Sequence, residues 1–200
     1  MKSKPKYIIG IDEAGRGPLA GPVAVGVVKT PGSFDWASKL PGVDDSKKLT
    51  EEKRAAIFSQ AKKLRHAGEL DFAVAMVGPS FIDTFGITQA INLAMARCIA
   101  RLKLHPEEVS IRLDGSLSAD PIFTQATIIK GDALYPEIGL ASICAKETRD
   151  AYMRRIARKY PHYQFEVHKG YGTKAHRLTI AKIGKSPIHR VTYCKNIKLL

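Results

Sequence analysis

Residues 7–28, YIIGIDEAGRGPLAGPVAVGVV, constrain the fold more tightly than any other stretch. Two apolar runs rich in β-branched residues, 7–11 and 22–28, read as strands, and only about ten residues separate them. A parallel crossover needs more chain than that, so the two strands are expected to run antiparallel. Between them stand Asp12, Glu13 and the sequence Gly15-Arg16-Gly17. Adjacent carboxylates at a strand end suit hard cations, which prefer oxygen ligands. The glycines let backbone N–H groups approach a phosphate that Arg16 can also contact. The same residues also fit an acidic strand end entering a Gly-rich turn, so the rest of the chain has to decide. Side chains alternate along a strand, so Asp12 and Glu13 share a site only if the strand stops there and the turn rotates Glu13.

Further strands are expected over residues 71–77, 109–113 and 126–129. The last two run into Asp114-Gly115 and Lys130-Gly131-Asp132, repeating the carboxylate-then-turn arrangement seen at Asp12. Residues 30–44 read as a loop delivering Asp45-Ser46-Lys47-Lys48-Leu49 to a helix that Thr50 caps and that ends near Arg65. Ile87, Ala90, Ile91, Ala94, Met95, Cys98, Ile99 and Leu102 form the apolar stripe of a second helix. A third, over about residues 140–160, carries Ser142, Lys146 and Asp150 on one face at steps of four. That face is placed to meet the acidic strand ends, although Lys146 and Asp150 also suit an ordinary helical ion pair. Residues 161–172 are a loop rich in His and aromatics, Thr173 caps a final helix to about Ile183, and residues 185–198 are basic and less ordered by pattern. His168, His176 and His189 gain no role from spacing and read as surface or backbone-contacting residues.

Two hundred residues suit one domain, with a core to about residue 160 and a basic extension over about 161–200. The net charge of +13 and a pI near 9.7 point to a polyanionic partner. Much of that excess falls from Lys146 onward, where only Glu147, Asp150 and Glu166 are acidic, as expected of a phosphate-backbone footprint. Cys98, Cys144 and Cys194 are odd in number and widely spaced, so they read as core residues of a protein in a reducing compartment. The apolar run behind the basic N-terminus is too short for a signal peptide, and no run reaches membrane-spanning length. A cytoplasmic monomer is expected.

Four strand-end acids, Asp12, Glu13, Asp114 and Asp132, would repel one another at one sheet edge unless cations lay between them. Two Mg²⁺ or Mn²⁺ ions held there would activate a water and stabilise the leaving oxygen of a phosphodiester. IDEAGRGPLAGPV, DSKKL, LDG, KGD, ASICAKETRD and HKGYGT follow one another in the order and approximate spacing of bacterial ribonuclease HII (type 2 ribonuclease H), and this resemblance spans nearly the whole chain. It implies a ribonuclease H-like α/β fold, a mixed five-stranded sheet flanked by helices. It also implies cleavage of RNA paired with DNA, on the 5′ side of a ribonucleotide, leaving 5′-phosphate and 3′-hydroxyl ends. By the same resemblance Asp12, Glu13, Asp114 and Asp132 are the metal-binding catalytic acids. Gly15, Arg16 and Gly17 would meet the backbone around the cut and the ribose 2′-OH, and Tyr171 the sugar of the following deoxynucleotide. Lys47, Ser142, Lys146 and Arg190 would contact phosphates.

The related type 3 enzymes carry an extra N-terminal domain, which is not expected here because the first strand begins at Tyr7. The terminal NIKLL lacks the Gln-and-aromatic clamp-binding peptide of archaeal relatives, leaving a sliding-clamp partner unsupported. Two rival readings share these residues: a nuclease of the same fold but other specificity, such as a junction resolvase, and a non-catalytic nucleic-acid-binding module whose acids hold a structural ion. A dinucleotide-binding protein is disfavoured, since GRGPLAG spaces its glycines wrongly for that fingerprint.

Overall fold

The computed structural model describes residues 5–43 and 49–198; Asp45, Ser46, Lys47 and Lys48 lie outside the described residues. β1 (Tyr7–Ala14) pairs antiparallel with β2 (Val23–Pro31), which pairs antiparallel with β3 (Asp71–Val77). On the other side of β1, β4 (Val109–Asp114) and β5 (Gln125–Ile128) add in parallel, giving the order β3-β2-β1-β4-β5. The expected mixed five-stranded sheet is therefore present. β1 does not stop at Ile11, however. β2 keeps offering ladder partners as far as Ala24, so Asp12 pairs with Gly26 and Glu13 with Val25 inside the strand.

One face of the sheet presents Ile9, Ile11, Val23, Val25 and Val27 to the long helix over residues 79–101, whose Ala90, Ile91, Ala94, Met95 and Cys98 form the predicted stripe. The other face presents Val28 and Phe72 to Leu64, Leu140 and Cys144. In chain order the helices are α1 (Trp36–Lys39), α2 (Glu51–His66), α3 (Pro79–Arg101), α4 (Gly131–Leu134), α5 (Pro136–Ala157), α6 (Phe165–His168) and α7 (Lys174–Ile183). Thr50 and Thr173 cap α2 and α7 as predicted, accepting from the N–H groups of Lys53 and His176. α1 falls where a loop is expected: Asp35 caps it, and Phe34 and Trp36 pack edge to face against the second core. α3 starts eight residues before Ile87, at Pro79, and is interrupted at Gly86, whose φ of 84° no helix accommodates.

α5 lies directly on the sheet, and two glycines make that possible. An alanine β-carbon at Gly10 would stand 2.1 Å from the Glu137 carbonyl oxygen, and one at Gly26 would stand 2.2 Å from that of Ala141. The helix backbone therefore rests on the strands themselves. Glu137, buried by this contact, pairs with Arg112 of β4, and Arg54 of α2 pairs with Glu147 of α5 at 3.1 Å.

Residues 185–198, expected to be less ordered, are instead fixed by tertiary hydrogen bonds that periodicity cannot reveal. The Asp83 carboxylate of α3 accepts from the N–H groups of Val191 (2.8 Å) and Thr192 (2.9 Å), starting a 3-10 turn over Val191–Cys194. Gly21 N–H donates to Ile188 O at 2.9 Å, and Arg190 N–H to Leu19 O at 2.8 Å. Among the described residues no helix is long and apolar enough to cross a membrane, and the three cysteines are free and buried.

Overpacking tests the close approach of α5. Gly10→Ala should lower unfolding free energy by about 1–3 kcal/mol, read from urea midpoints. Gly32→Ala, where a β-carbon meets nothing nearer than 3.6 Å, should leave the midpoint unchanged.

Candidate active site

Because α5 touches β2 at Gly26, the ladder partner of Asp12, the next helix residue after Ala141 comes within reach of that acid. Ser142 hydrogen-bonds the Asp12 carboxyl. Asp12 is only 5% exposed, and burial raises its carboxyl well above the ordinary 3.8. The Ser142 hydrogen bond opposes that rise, and the nearby Glu13 and Asp114 charges add to it. Glu13 shares the cleft with Asp12 although β1 continues through both, so the strand need not stop for the two acids to meet; Glu13 accepts from Arg16 Nη1 at 3.1 Å, and its own N–H donates to Asp12 Oδ1 at 2.7 Å. Asp114, at the end of the parallel neighbour β4, accepts from the Gly131 N–H at 2.7 Å.

These groups line one cleft of about 240 Å³ together with Gly15, Gly17, Lys146, Arg149, Asp150 and Tyr171. Ser142, Lys146 and Asp150 run along the same wall, as their spacing of four predicts, and Lys146 Nζ donates to Asp150 Oδ2 at 2.9 Å. Tyr171, 45% exposed, reaches the cleft from the loop after α6, with the Arg149 guanidinium 5.8 Å from its ring centroid. A larger groove of about 600 Å³ between α3 and residues 116–123 is mostly apolar. Its lining includes Arg16 and, as its one acid, Asp120, so the clustered acids belong to the smaller cleft.

Two buried arginines hold the loop that follows β1. Arg190 donates from Nη2 to Gly15 O (2.6 Å), from Nη1 to Arg16 O (2.8 Å) and from Nε to Gly21 O (3.0 Å). Arg149 donates from Nε to Pro22 O (2.8 Å) and from Nη2 to Ala20 O (3.2 Å). Gly15 has a φ of 87°, and a β-carbon there would lie 2.1 Å from Arg149 Nε. Gly17 is exposed, with nothing within 4 Å of a β-carbon position. The loop thus turns its carbonyls inward to the arginines and leaves the Gly17 side open to a ligand.

Several expected contacts fall elsewhere. Arg190 is fully buried and bonded to loop carbonyls, so it braces the Gly-Arg-Gly turn and does not reach a phosphate. Burial first, and then the Arg149 charge, lower its pKa to about 10. Ser142, 4% exposed, lines the cleft and hydrogen-bonds the Asp12 carboxyl. Asp132 sits in the first turn of α4, buried and next to the Gly131 that holds Asp114, but off the cleft lining. The fourth carboxylate on that lining is Asp150. Lys47 lies outside the described residues. Arg149 was not among the expected site residues; it lies with Ser142, Ala145 and Met153 on the buried side of α5, a placement that only the packing reveals.

The carboxylates suit a hard divalent cation, whose charge would offset the repulsion that helps raise the Asp12 carboxyl. Among the described residues no three His, Cys, Asp or Glu side chains form a ready metal cage.

A family model described as Ribonuclease HII matches residues 9–196. Ribonuclease HII of Caldicellulosiruptor bescii is 44% identical over 192 residues, covering 96% of this chain and 88% of that protein. Among solved structures, ribonuclease H2 from Pyrococcus horikoshii OT3 superposes with a TM-score of 0.72 at 27% identity, over 96% of this chain and 97% of its own. RNase HII from Archaeoglobus fulgidus, solved as a complex with PCNA, gives the same score and identity over 92% and 94%.

With its pKa raised in the folded state, Asp12 contributes stability that is full below the ordinary carboxyl value and is lost as pH rises through the raised one. In chelator, Asp12→Asn should therefore unfold at higher urea than wild type at pH 8, with the gain vanishing toward pH 4; equal destabilisation at both pH values would refute the charge argument. Arg190→Met leaves the Gly15, Arg16 and Gly21 carbonyls without their donors and should cost about 2 kcal/mol or more in the same assay.

Proposed function

This chain belongs to the ribonuclease HII family, and from that premise we propose that it cuts on the 5′ side of single ribonucleotides embedded in duplex DNA. The family consists of enzymes, divalent-metal-dependent ribonucleases H acting on RNA–DNA hybrids, which sets aside the reading as a non-catalytic module. What supports the finer specificity is the arrangement of Asp12, Glu13, Asp114, the Gly15-Arg16-Gly17 turn and the exposed Tyr171 around one cleft.

Asp12, Glu13 and Asp114 would hold two divalent ions, Mg²⁺ or Mn²⁺, and we assign Asp132 to the same set through its position beside Gly131 and Asp114. When bound, the ions supply activation of the attacking water and neutralise charge on the leaving 3′-oxygen. The chain's own residues do the rest. Ser142 keeps the Asp12 carboxylate oriented, and Arg16 fixes Glu13 while its partly exposed guanidinium faces the substrate backbone. Gly15 and Gly17 bring backbone atoms close to the ribose, where the 2′-OH is the one group distinguishing RNA from DNA. Lys146 adds positive charge beside the scissile phosphate, and Tyr171 offers its ring to the deoxynucleotide sugar that follows. Such a site would recognise an RNA–DNA junction rather than a base sequence. The basic residues from Lys146 onward would track the phosphate backbone.

A labelled DNA duplex with one ribonucleotide, beside an all-DNA duplex, tests this in Mg²⁺, Mn²⁺ and chelator. The expected outcome is a metal-dependent cut immediately 5′ of the ribonucleotide, with the all-DNA duplex intact. Cleavage of both duplexes would instead favour a nuclease of broader specificity. Asp12→Asn should abolish the cut while binding of the uncut duplex stays within about threefold, because the acid acts on charge developed in the reaction; parallel loss of binding would remove Asp12 from a catalytic role.

A further inference from the structure

Three histidines left without a role by their spacing, His168, His176 and His189, meet inside the C-terminal region. All are buried, His176 to 1% and His189 to 2% exposure, and they pack around Phe165. His168 and His176 stack with centroids 4.1 Å apart. They contact backbone, as one expectation had it, but none is a surface residue.

The direction of their hydrogen bonds follows from one fixed donor. Ser186 N–H points at His189 Nδ1 at 2.8 Å, nearer than the 3.3 Å from that nitrogen to Ser186 O, and the rotatable Ser186 hydroxyl, also 2.8 Å away, can donate to it as well, so Nδ1 holds a lone pair. A neutral imidazole protonates one nitrogen only, which leaves the proton on His189 Nε2. That atom stands 3.0 Å from His176 Nε2, which must accept. His176 therefore carries its proton on Nδ1 and donates it to Tyr171 O at 2.8 Å. The tautomers are set in series from Ser186 to Tyr171. Burial lowers both His176 and His189 to about 4, so the neutral relay persists at physiological pH. On the other side of the stack, Gly170 N–H donates to His168 Nδ1 at 3.1 Å, leaving His168 Nε2 to donate to Tyr163 O at 2.6 Å.

The receiving carbonyl belongs to the residue whose ring lines the cleft. Tyr171 N–H donates to His168 O, and its carbonyl accepts from the Thr173 N–H at 2.9 Å as well as from His176, so the Tyr171 backbone is held on both sides while its ring, with the Arg149 guanidinium 5.8 Å from the centroid, lines the cleft. We propose that the relay from His189 through His176 to Tyr171 is a positioning device that sets the Tyr171 ring against the substrate, making His176 and His189 determinants of junction specificity. The proposal rests on the reading of Tyr171 given above. Both histidines are too buried to touch substrate, so their effect on it is indirect, carried by the hydrogen bond to the Tyr171 carbonyl.

The test compares kcat/KM on a duplex with one ribonucleotide and on a long RNA–DNA hybrid, where most cuts are remote from a junction. His176→Leu, which loses the donor, should lower the single-ribonucleotide to hybrid ratio about three- to tenfold. His176→Asn, whose amide nitrogen falls near Nδ1, should restore most of it. In a Tyr171→Ala background His176→Leu should change the ratio no further. Equal loss on both substrates, no rescue by Asn, or an additive double variant would reduce the histidines to packing and overturn the proposal. A wild-type ratio for Tyr171→Ala alone would instead overturn the Tyr171 reading, and the relay's function with it. Should His176→Leu not fold, ¹⁵N-histidine NMR of the wild-type protein decides: protons on His176 Nδ1 and His189 Nε2 are expected, and the opposite tautomers exclude the relay.

Discussion

The contact on which the structure depends is the seating of α5 on the sheet at Gly10 and Gly26. Side chains normally hold a helix and a sheet apart, but here the Glu137 and Ala141 carbonyls occupy the space that two β-carbons would fill. The closeness carries Ser142 to Asp12 and aligns Lys146, Arg149 and Asp150 along the cleft. A wider separation would leave Asp12 buried with no hydroxyl to meet it, a costly arrangement for a carboxyl group. Packing and chemistry share one cause.

The loops of the site depend on a second device, buried polar groups supplied from the end of the chain. Arg190 holds the carbonyls of Gly15, Arg16 and Gly21, while its neighbour His189 begins the hydrogen bonds that end on Tyr171. Two adjacent residues thus tie together the two loops that flank the acids. Loops fixed by exposed backbone alone would open readily. Fully bonded buried groups make them part of the scaffold, and their cost if left unpaired explains why the tie is specific.

Electrostatics divides the molecule. The chain as a whole carries +13, yet the cleft gathers Asp12, Glu13, Asp114 and Asp150. The overall field would draw a polyanion toward the surface, while the acids of the cleft would repel phosphate unless a cation lay between them. That division matches an enzyme that binds nucleic acid broadly and reacts with it at one place.

The order of motifs made the family and the mixed sheet legible in the sequence, and it singled out Asp12, Glu13 and Asp114, which line one cleft, because strand alternation, helical spacing and strand-end carboxylates are local patterns. Ser142, Lys146 and Asp150 could be placed on one face by counting residues. Counting could not show that Ser142 serves Asp12, that β1 continues through its own acids, or that Asp150 rather than Asp132 lines the cleft. Nor could it show that Arg149, Arg190 and the three histidines are interior. Arginine is mostly exposed and histidine intermediate in burial, and nothing local in the sequence marks these as fully interior. Their burial is stable only because carbonyls from residues 15–22, 163 and 171 and the N–H groups of Gly170 and Ser186 converge on them, and such convergence exists only once distant segments have packed.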